Sequence, residues 1–160
     1  MKTKANKTYL SLIIWIVALI AAGGAIGSLT KTEINSWYNM LIRSPLTPEN
    51  YVFPIAWTIL YAMIGSCGWL IWRKQPFPEL NIIKSLYVLG LILNWSWTPL
   101  FFYYNLTLFS LIVLVAMDIM VGWIIYLTYT TIRTVSLLMI PYLLWILFAS
   151  YLNLYIWLYN

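Results

Sequence analysis

The chain has 160 residues, 63% hydrophobic and 8% charged, with a mean hydropathy of +0.85; a soluble domain this small could not hide so much apolar surface, which indicates an all-α polytopic membrane protein. The net charge of +5 comes from basic residues at the ends of apolar segments, a pattern of topology signals and headgroup contacts, not of a nucleic-acid interface. Histidine is absent and there are only four carboxylates, which excludes the usual hydrolytic and zinc constellations and leaves no metal site to expect.

Five apolar segments, about 9–29, 51–72, 82–103, 106–130 and 135–158, are each long enough to span a bilayer. Together they make one five-helix transmembrane domain over residues 1–160. The first follows Lys2, Lys4 and Lys7 and contains AAGGAIGS. A cleavable signal peptide is the rival reading, but the apolar run exceeds the roughly 7–15 residues of a signal core, so an uncleaved span is expected. Gly23 and Gly27 stand at GxxxG spacing among small residues, a pattern that lets helix backbones approach closely.

The connection from Thr30 to Asn50 holds Trp37, Tyr38, Pro45 and Pro48. It reads either as a cap over a cavity or as an interfacial segment with its aromatics at headgroup level. In the second span Trp57, Tyr61, Gly65, Gly68 and Trp72 recur every three or four residues and form one stripe whose mixture of large and absent side chains suits a cavity. Cys67 excludes an internal disulfide, being alone, and its place between those glycines suits a small packing residue better than a reactive thiol. The loop RKQPFPEL is short and Pro-stiffened, which makes its neighbouring spans antiparallel.

In the third span, within LNWSWTPLFF, Asn94, Trp97, Thr98 and Phe101 share a face, and Pro99 predicts a local kink. In the fourth, Asp118 is the ionisable residue deepest in a span. Burying its charge would cost about 2.5–3.5 kcal/mol, so it is either a proton-coupling group or a neutral acid bonded to a neighbouring helix. In the fifth, Pro141, Trp145, Ala149 and Asn153 stand at successive i+4 positions, with Leu152 alongside, and polar Asn at membrane depth predicts that this stripe points inward. Trp15, Trp69, Trp72, Trp123 and Trp157 are expected at the lipid or interface side. Aromatic walls with a few polar anchors are how small apolar ligands are held.

Basic residues on alternate sides of the spans divide into Lys2, Lys4, Lys7, Arg73, Lys74, Lys84 and Arg133 against Lys31 and Arg43. This asymmetry predicts a cytoplasmic N-terminus and an outside C-terminus. No internal repeat is evident, unlike transporters built from inverted repeats.

Trp37-Tyr38, Pro48, FPIAWTILYAMIG from Phe53, LNWSWTPLFF and PYLLWILFASYLN from Pro141 occur in one order along nearly the whole chain. The chain thereby resembles the translocator protein family, also called TspO/MBR or tryptophan-rich sensory proteins. The resemblance implies a five-helix bundle, commonly a homodimer, in a bacterial cytoplasmic membrane. It implies a pocket for tetrapyrroles such as protoporphyrin IX or haem, for sterols and for benzodiazepine-type ligands, closed by the first loop. The implied pocket residues are Ser28, Phe53, Trp57, Tyr61, Asn94, Trp97, Trp145, Ala149 and Leu152. The ligand is cargo or signal, and no cofactor is expected.

The chain departs from the family pattern in several places. Leu154 and Leu158 replace the Tyr and basic residue of the sterol-associated element, and RSPLTPE, with Ser44, Leu46 and Glu49, stands for KPSWxPP in the loop. The family's fourth-span Asp aligns with Val113, so Asp118 lies about 140° further round the helix and inherits no role. Phe109 stands where some members have Trp. The leading reading is a membrane sensor or carrier for porphyrin-like ligands. Two alternatives are light- and oxygen-dependent porphyrin degradation, with Trp57 and Trp145 as electron donors, and proton-coupled transport through Asp118.

Overall fold

A computed structural model describes residues 2–29 and 36–160, without the side chains of residues 2–7 and 29. The N-terminal lysine side chains, Lys31 and the first residues of the long connection lie outside the described residues. Five helices follow one another: α1 (Lys2–Leu29), α2 (Val52–Trp72), α3 (Leu80–Thr98), α4 (Thr107–Thr128) and α5 (Arg133–Tyr159). All five are long and apolar enough to cross a membrane, over Thr8–Ser28, Val52–Trp72, Leu80–Tyr103, Thr107–Thr128 and Arg133–Tyr159. Five spans were expected, and five such helices are present. No strand is present among the described residues.

Helices are the natural outcome of such a sequence, because in hydrocarbon every backbone N–H and C=O must be satisfied within its own segment. Ile13, Val17, Ile119 and Leu144 are exposed, giving the bundle the apolar exterior that a bilayer covers. α4 packs most extensively on α5, α1 on α2, α3 on α4, and α2 on α5, while α3 touches α1 and α2 more lightly. The helices therefore form a ring in the order α1–α2–α5–α4–α3.

The kink expected at Pro99 takes the form of a single π-turn, Pro99–Tyr103. Proline has no amide hydrogen to donate to the preceding turn, and the chain widens its turn so that the Tyr104 N–H reaches the Pro99 carbonyl at 3.0 Å. Asn105 then takes φ 56°, a left-handed conformation that asparagine tolerates better than most residues, and the chain reverses into α4.

Four local expectations change. Trp15, expected toward lipid, is half-buried, and its ring packs on Trp72 at 5.4 Å and Tyr87 at 6.4 Å. It fills the notch left by Gly68, where an added Cβ would stand 2.5 Å from the indole, while Gly65 brings the α1 backbone at Ile16 to 3.0 Å of such a Cβ. The glycines of α2 thus admit α1. Of the GxxxG pair, Gly23 receives the Tyr61 ring, but a Cβ at Gly27 would meet no heavy atom within 4 Å.

Pro141 is exposed while Asn153 is 1% exposed, so the fifth-span stripe does not point inward as a whole. Each i+4 step overshoots a 3.6-residue turn by about 40°, which separates these two residues by about 120°. The buried face of α5 runs instead through Val135, Met139, Tyr142, Ile146 and Asn153. Trp123 and Trp157 are exposed as expected, at 53% and 42%. Trp72 is 40% exposed, though held by Trp15 and Tyr87.

Candidate functional site

The antiparallel register of α2 and α5 decides which side chains meet. Cys67, fully buried, places its Sγ 3.8 Å from the Val135 carbonyl, the packing role its position suggested. Ten to fourteen residues back along α2, this register puts Phe53 and Trp57 beside Trp145. The Trp145 ring meets Phe53 edge-on at 6.0 Å and Trp57 edge-on at 6.5 Å, and Trp57 lies 5.6 Å from Tyr61. Phe148 continues the cluster, 6.1 Å from Trp145.

Beneath the rings lies a polar chain. The Tyr61 hydroxyl donates to Asn94 Oδ1 at 2.6 Å, and Asn94 Nδ2 donates to the Tyr142 hydroxyl oxygen at 3.1 Å. One buried amide therefore joins α2, α3 and α5. Tyr142 was not singled out by sequence, because the i+4 row drawn from Pro141 passed it by. Its signal was the 3.6-residue row through Met139 and Ile146.

The remaining sequence candidates divide. Trp97 belongs to a neighbouring cluster toward the α3 C-terminus, stacked on Phe101 at 5.3 Å and donating from Nε1 to Asn153 Oδ1 at 3.2 Å. Asn153 also accepts from Ser110 at 3.0 Å and donates to the Thr107 carbonyl at 2.7 Å. Leu152 is buried beside it and Ala149 is half-buried one turn beyond Trp145. Ser28 is exposed, and its hydroxyl donates to the Ala25 carbonyl of its own helix at 2.7 Å. It stands apart from the aromatic cluster.

The first loop is docked over this end of the bundle. Tyr38 is buried against Phe101 at 6.2 Å and Phe102 at 5.5 Å, and Trp37 sits 5.5 Å from Phe101. Arg43 lies over the Tyr38 ring at 5.2 Å. Burial pushes the Tyr38 hydroxyl above its usual pKa, with the Arg43 charge opposing more weakly, so it stays a neutral phenol. Ser44 and Tyr151 share a hydrogen bond of 2.9 Å, and Asn160 clamps the backbone of Ile42 from both sides, accepting at 2.9 Å and donating at 3.2 Å. Residues 37–44 of the connection are thus anchored to protein through Trp37, Tyr38, Ile42 and Ser44 rather than laid flat at the headgroups.

Asp118 accepts from Ser150 at 2.7 Å through Oδ2, while its buried Oδ1 has no partner. This bond ties α4 to α5 as the helix-bonded reading of the residue expects. No group of three or more potential metal ligands exists among the described residues.

The aromatic pair on α2 and α5, the amide on α3 and the docked first loop occur in a chain whose residues 15–158 match the TspO/MBR family model. The chain belongs to the TspO/MBR family. It is 37% identical over 151 residues to the tryptophan-rich protein TspO of Archaeoglobus fulgidus, covering 94% of this chain and 97% of that one. The TspO of Chlorobaculum tepidum is 34% identical, with 92% of this chain and 94% of that one covered. The translocator protein of Bos taurus is 30% identical, with 87% and 84% covered. Like its TspO/MBR relatives, the chain is an integral membrane protein.

Proposed function

We propose that this protein is a membrane sensor or carrier that binds a flat, porphyrin-like tetrapyrrole between the aromatic side chains of α2 and α5, under the first loop. The observation that carries the reading is the meeting of Phe53, Trp57 and Trp145, joined through the Trp57–Tyr61 ring contact to the Tyr61–Asn94–Tyr142 chain. Rings supply stacking area and the amide chain supplies a fixed polar floor, the combination that orients small apolar ligands. Names of relatives such as translocator protein support a binding role. The same reading takes the molecule to act as one five-helix unit, as a homodimer, in a bacterial cytoplasmic membrane. Trp57 and Trp145 now touch edge-on, so a flat ligand enters by parting them.

Stacking contributes about 0.5–1.5 kcal/mol per aromatic pair beyond area burial. Trp57→Phe or Trp145→Phe is therefore expected to weaken protoporphyrin IX binding by several-fold to about tenfold, read by tryptophan quenching in detergent. Ala149→Phe, one turn from Trp145, is expected to block binding sterically. Trp123→Phe, on an exposed face, is the control, because Trp15 is structural. Affinities equal to the control's in all three variants would place the ligand elsewhere.

A further inference from the structure

At the opposite end of the bundle from the docked loop, the α2 C-terminus and the turn leading into α5 border an open recess. This cavity of ≈ 380 Å³ is lined by Trp69, Arg73, Lys74, Thr131, Arg133 and Thr134, among others. Three of those walls are cations, and no carboxylate is among them. Glu33 and Glu49 belong to the first loop and Asp118 to mid-span by sequence. The remaining acid, Glu79, lines a neighbouring cavity with Tyr126 and Thr131. Among the described residues no ion pair neutralises Arg73, Lys74 or Arg133, and each is exposed.

The recess is built around a fixed platform. Trp69 Nε1 donates to the Ser11 hydroxyl of α1 at 2.9 Å, which pins the indole, and the Arg73 guanidinium lies over that indole at 4.4 Å. Across from it begins α5, whose N-cap residue Ile132 makes no side-chain cap. The first turn of a helix carries the positive end of its dipole, although the Val135 N–H of α5 already donates to the Ile132 carbonyl at 2.8 Å. Thr134 adds a hydroxyl in the first turn. The Thr131 hydroxyl is engaged with the Leu127 carbonyl at 2.9 Å, but the three cations, the Thr134 hydroxyl and the start of α5 favour an anion with several acceptor oxygens, and a phosphate group has that chemistry.

We propose that this cavity binds the phosphate of an anionic phospholipid headgroup. A lipid is favoured over a soluble phosphate because the cavity sits at the ends of two spans, Val52–Trp72 and Arg133–Tyr159. Half-buried Leu70 and Trp69 also line it, which suits a headgroup whose acyl chains continue down the apolar exterior. By the distribution of basic residues, this is the cytoplasmic end, where anionic lipids concentrate.

The test uses the full chain, delipidated in mild detergent, with native mass spectrometry after addition of phosphatidylglycerol or phosphatidylcholine. Wild type is expected to retain phosphatidylglycerol in preference to phosphatidylcholine. Arg133→Gln is expected to lower that retention about fivefold, the weight of one cation beside an anionic headgroup. Removing basic residues weakens a topology signal, so a second variant, Thr131→Trp, fills the cavity with all charges kept and is expected to abolish the preference. Arg43→Gln, at the other end of the bundle, is expected to leave it intact. Equal retention of the two lipids, or unchanged retention in Arg133→Gln or Thr131→Trp, would overturn the proposal. Displacement of the lipid by an equal concentration of inorganic phosphate would assign the cavity to a soluble anion and overturn the lipid assignment.

Discussion

At the residue scale, two asparagines hold the bundle together in complementary ways. Asn94 joins α2 to α5 through the hydroxyls of Tyr61 and Tyr142. Asn153 joins α5 to the Trp97 indole of α3 and to Ser110 and the Thr107 carbonyl of α4. Interhelical hydrogen bonds in membrane proteins average about 0.6 kcal/mol, with about 1.7 at the upper end. Three such bonds meet at Asn153, and its loss would also strand the Trp97 N–H. Asn153→Leu is expected to destabilise the fold by about 1–3 kcal/mol in unfolding by dodecyl sulfate followed by circular dichroism. Ser96→Ala, whose hydroxyl bonds only to the Leu93 carbonyl of its own helix, is expected to be neutral. An Asn153→Leu variant as stable as Ser96→Ala would show that the hub carries no net stability. Polar residues at membrane depth were legible in the sequence for a physical reason, since hydrocarbon offers them no partner but protein. Their partners were not legible: Tyr142 and Ser110 lie on helix rows that carry no distinctive composition.

At the element scale, the five spans could be read directly because length and hydropathy are local properties. How their faces are used depends on neighbours. The glycines of α2 looked like room for a ligand, yet Gly65 and Gly68 receive α1 through Ile16 and Trp15. No property of Trp15 alone distinguishes an indole in lipid from one filling a glycine notch on the next helix. The first loop illustrates the same point. Its composition was compatible with an interfacial segment, and its docking depends on Phe101 and Phe102, which the π-turn at Pro99–Tyr103 carries. α5 also outruns α2: with Cys67 beside Val135 and the helices antiparallel, Val52 stands about level with Ser150, and the last turns of α5 extend about 13 Å past the start of α2. The loop packs against that extension through Ser44 and Ile42. Deletion within residues 39–47 removes these anchors without touching a span. It is expected to speed porphyrin release in stopped-flow fluorescence more than it lowers thermal stability. An unchanged release rate would reduce the loop to a connector.

At the scale of the whole molecule, the charge distribution predicts the way the bundle sits in its membrane. Arg73, Lys74, Lys84 and Arg133 flank the short loops at one end, whereas Arg43 is held over Tyr38 in the loop at the other. Short loops rich in Lys and Arg stay in the cytoplasm, so the α5 C-terminus and the docked loop are expected to face outward and the cavity with its three cations, at the ends of α2 and α5, to face inward. The protein is suited to a direct test because its native thiol is hidden: Cys67 is 0% exposed and is expected not to react with a membrane-impermeant maleimide in the folded state. A cysteine introduced at Thr130, in the exposed turn before α5, then reports the inner side, and one at exposed Asn160 reports the outer side. Intact cells are expected to label the Asn160→Cys protein and not the Thr130→Cys protein, and permeabilised cells are expected to label both. The reverse pattern in intact cells would invert the topology, put the docked loop on the cytoplasmic side and deprive the basic cavity of the anionic leaflet it is expected to meet.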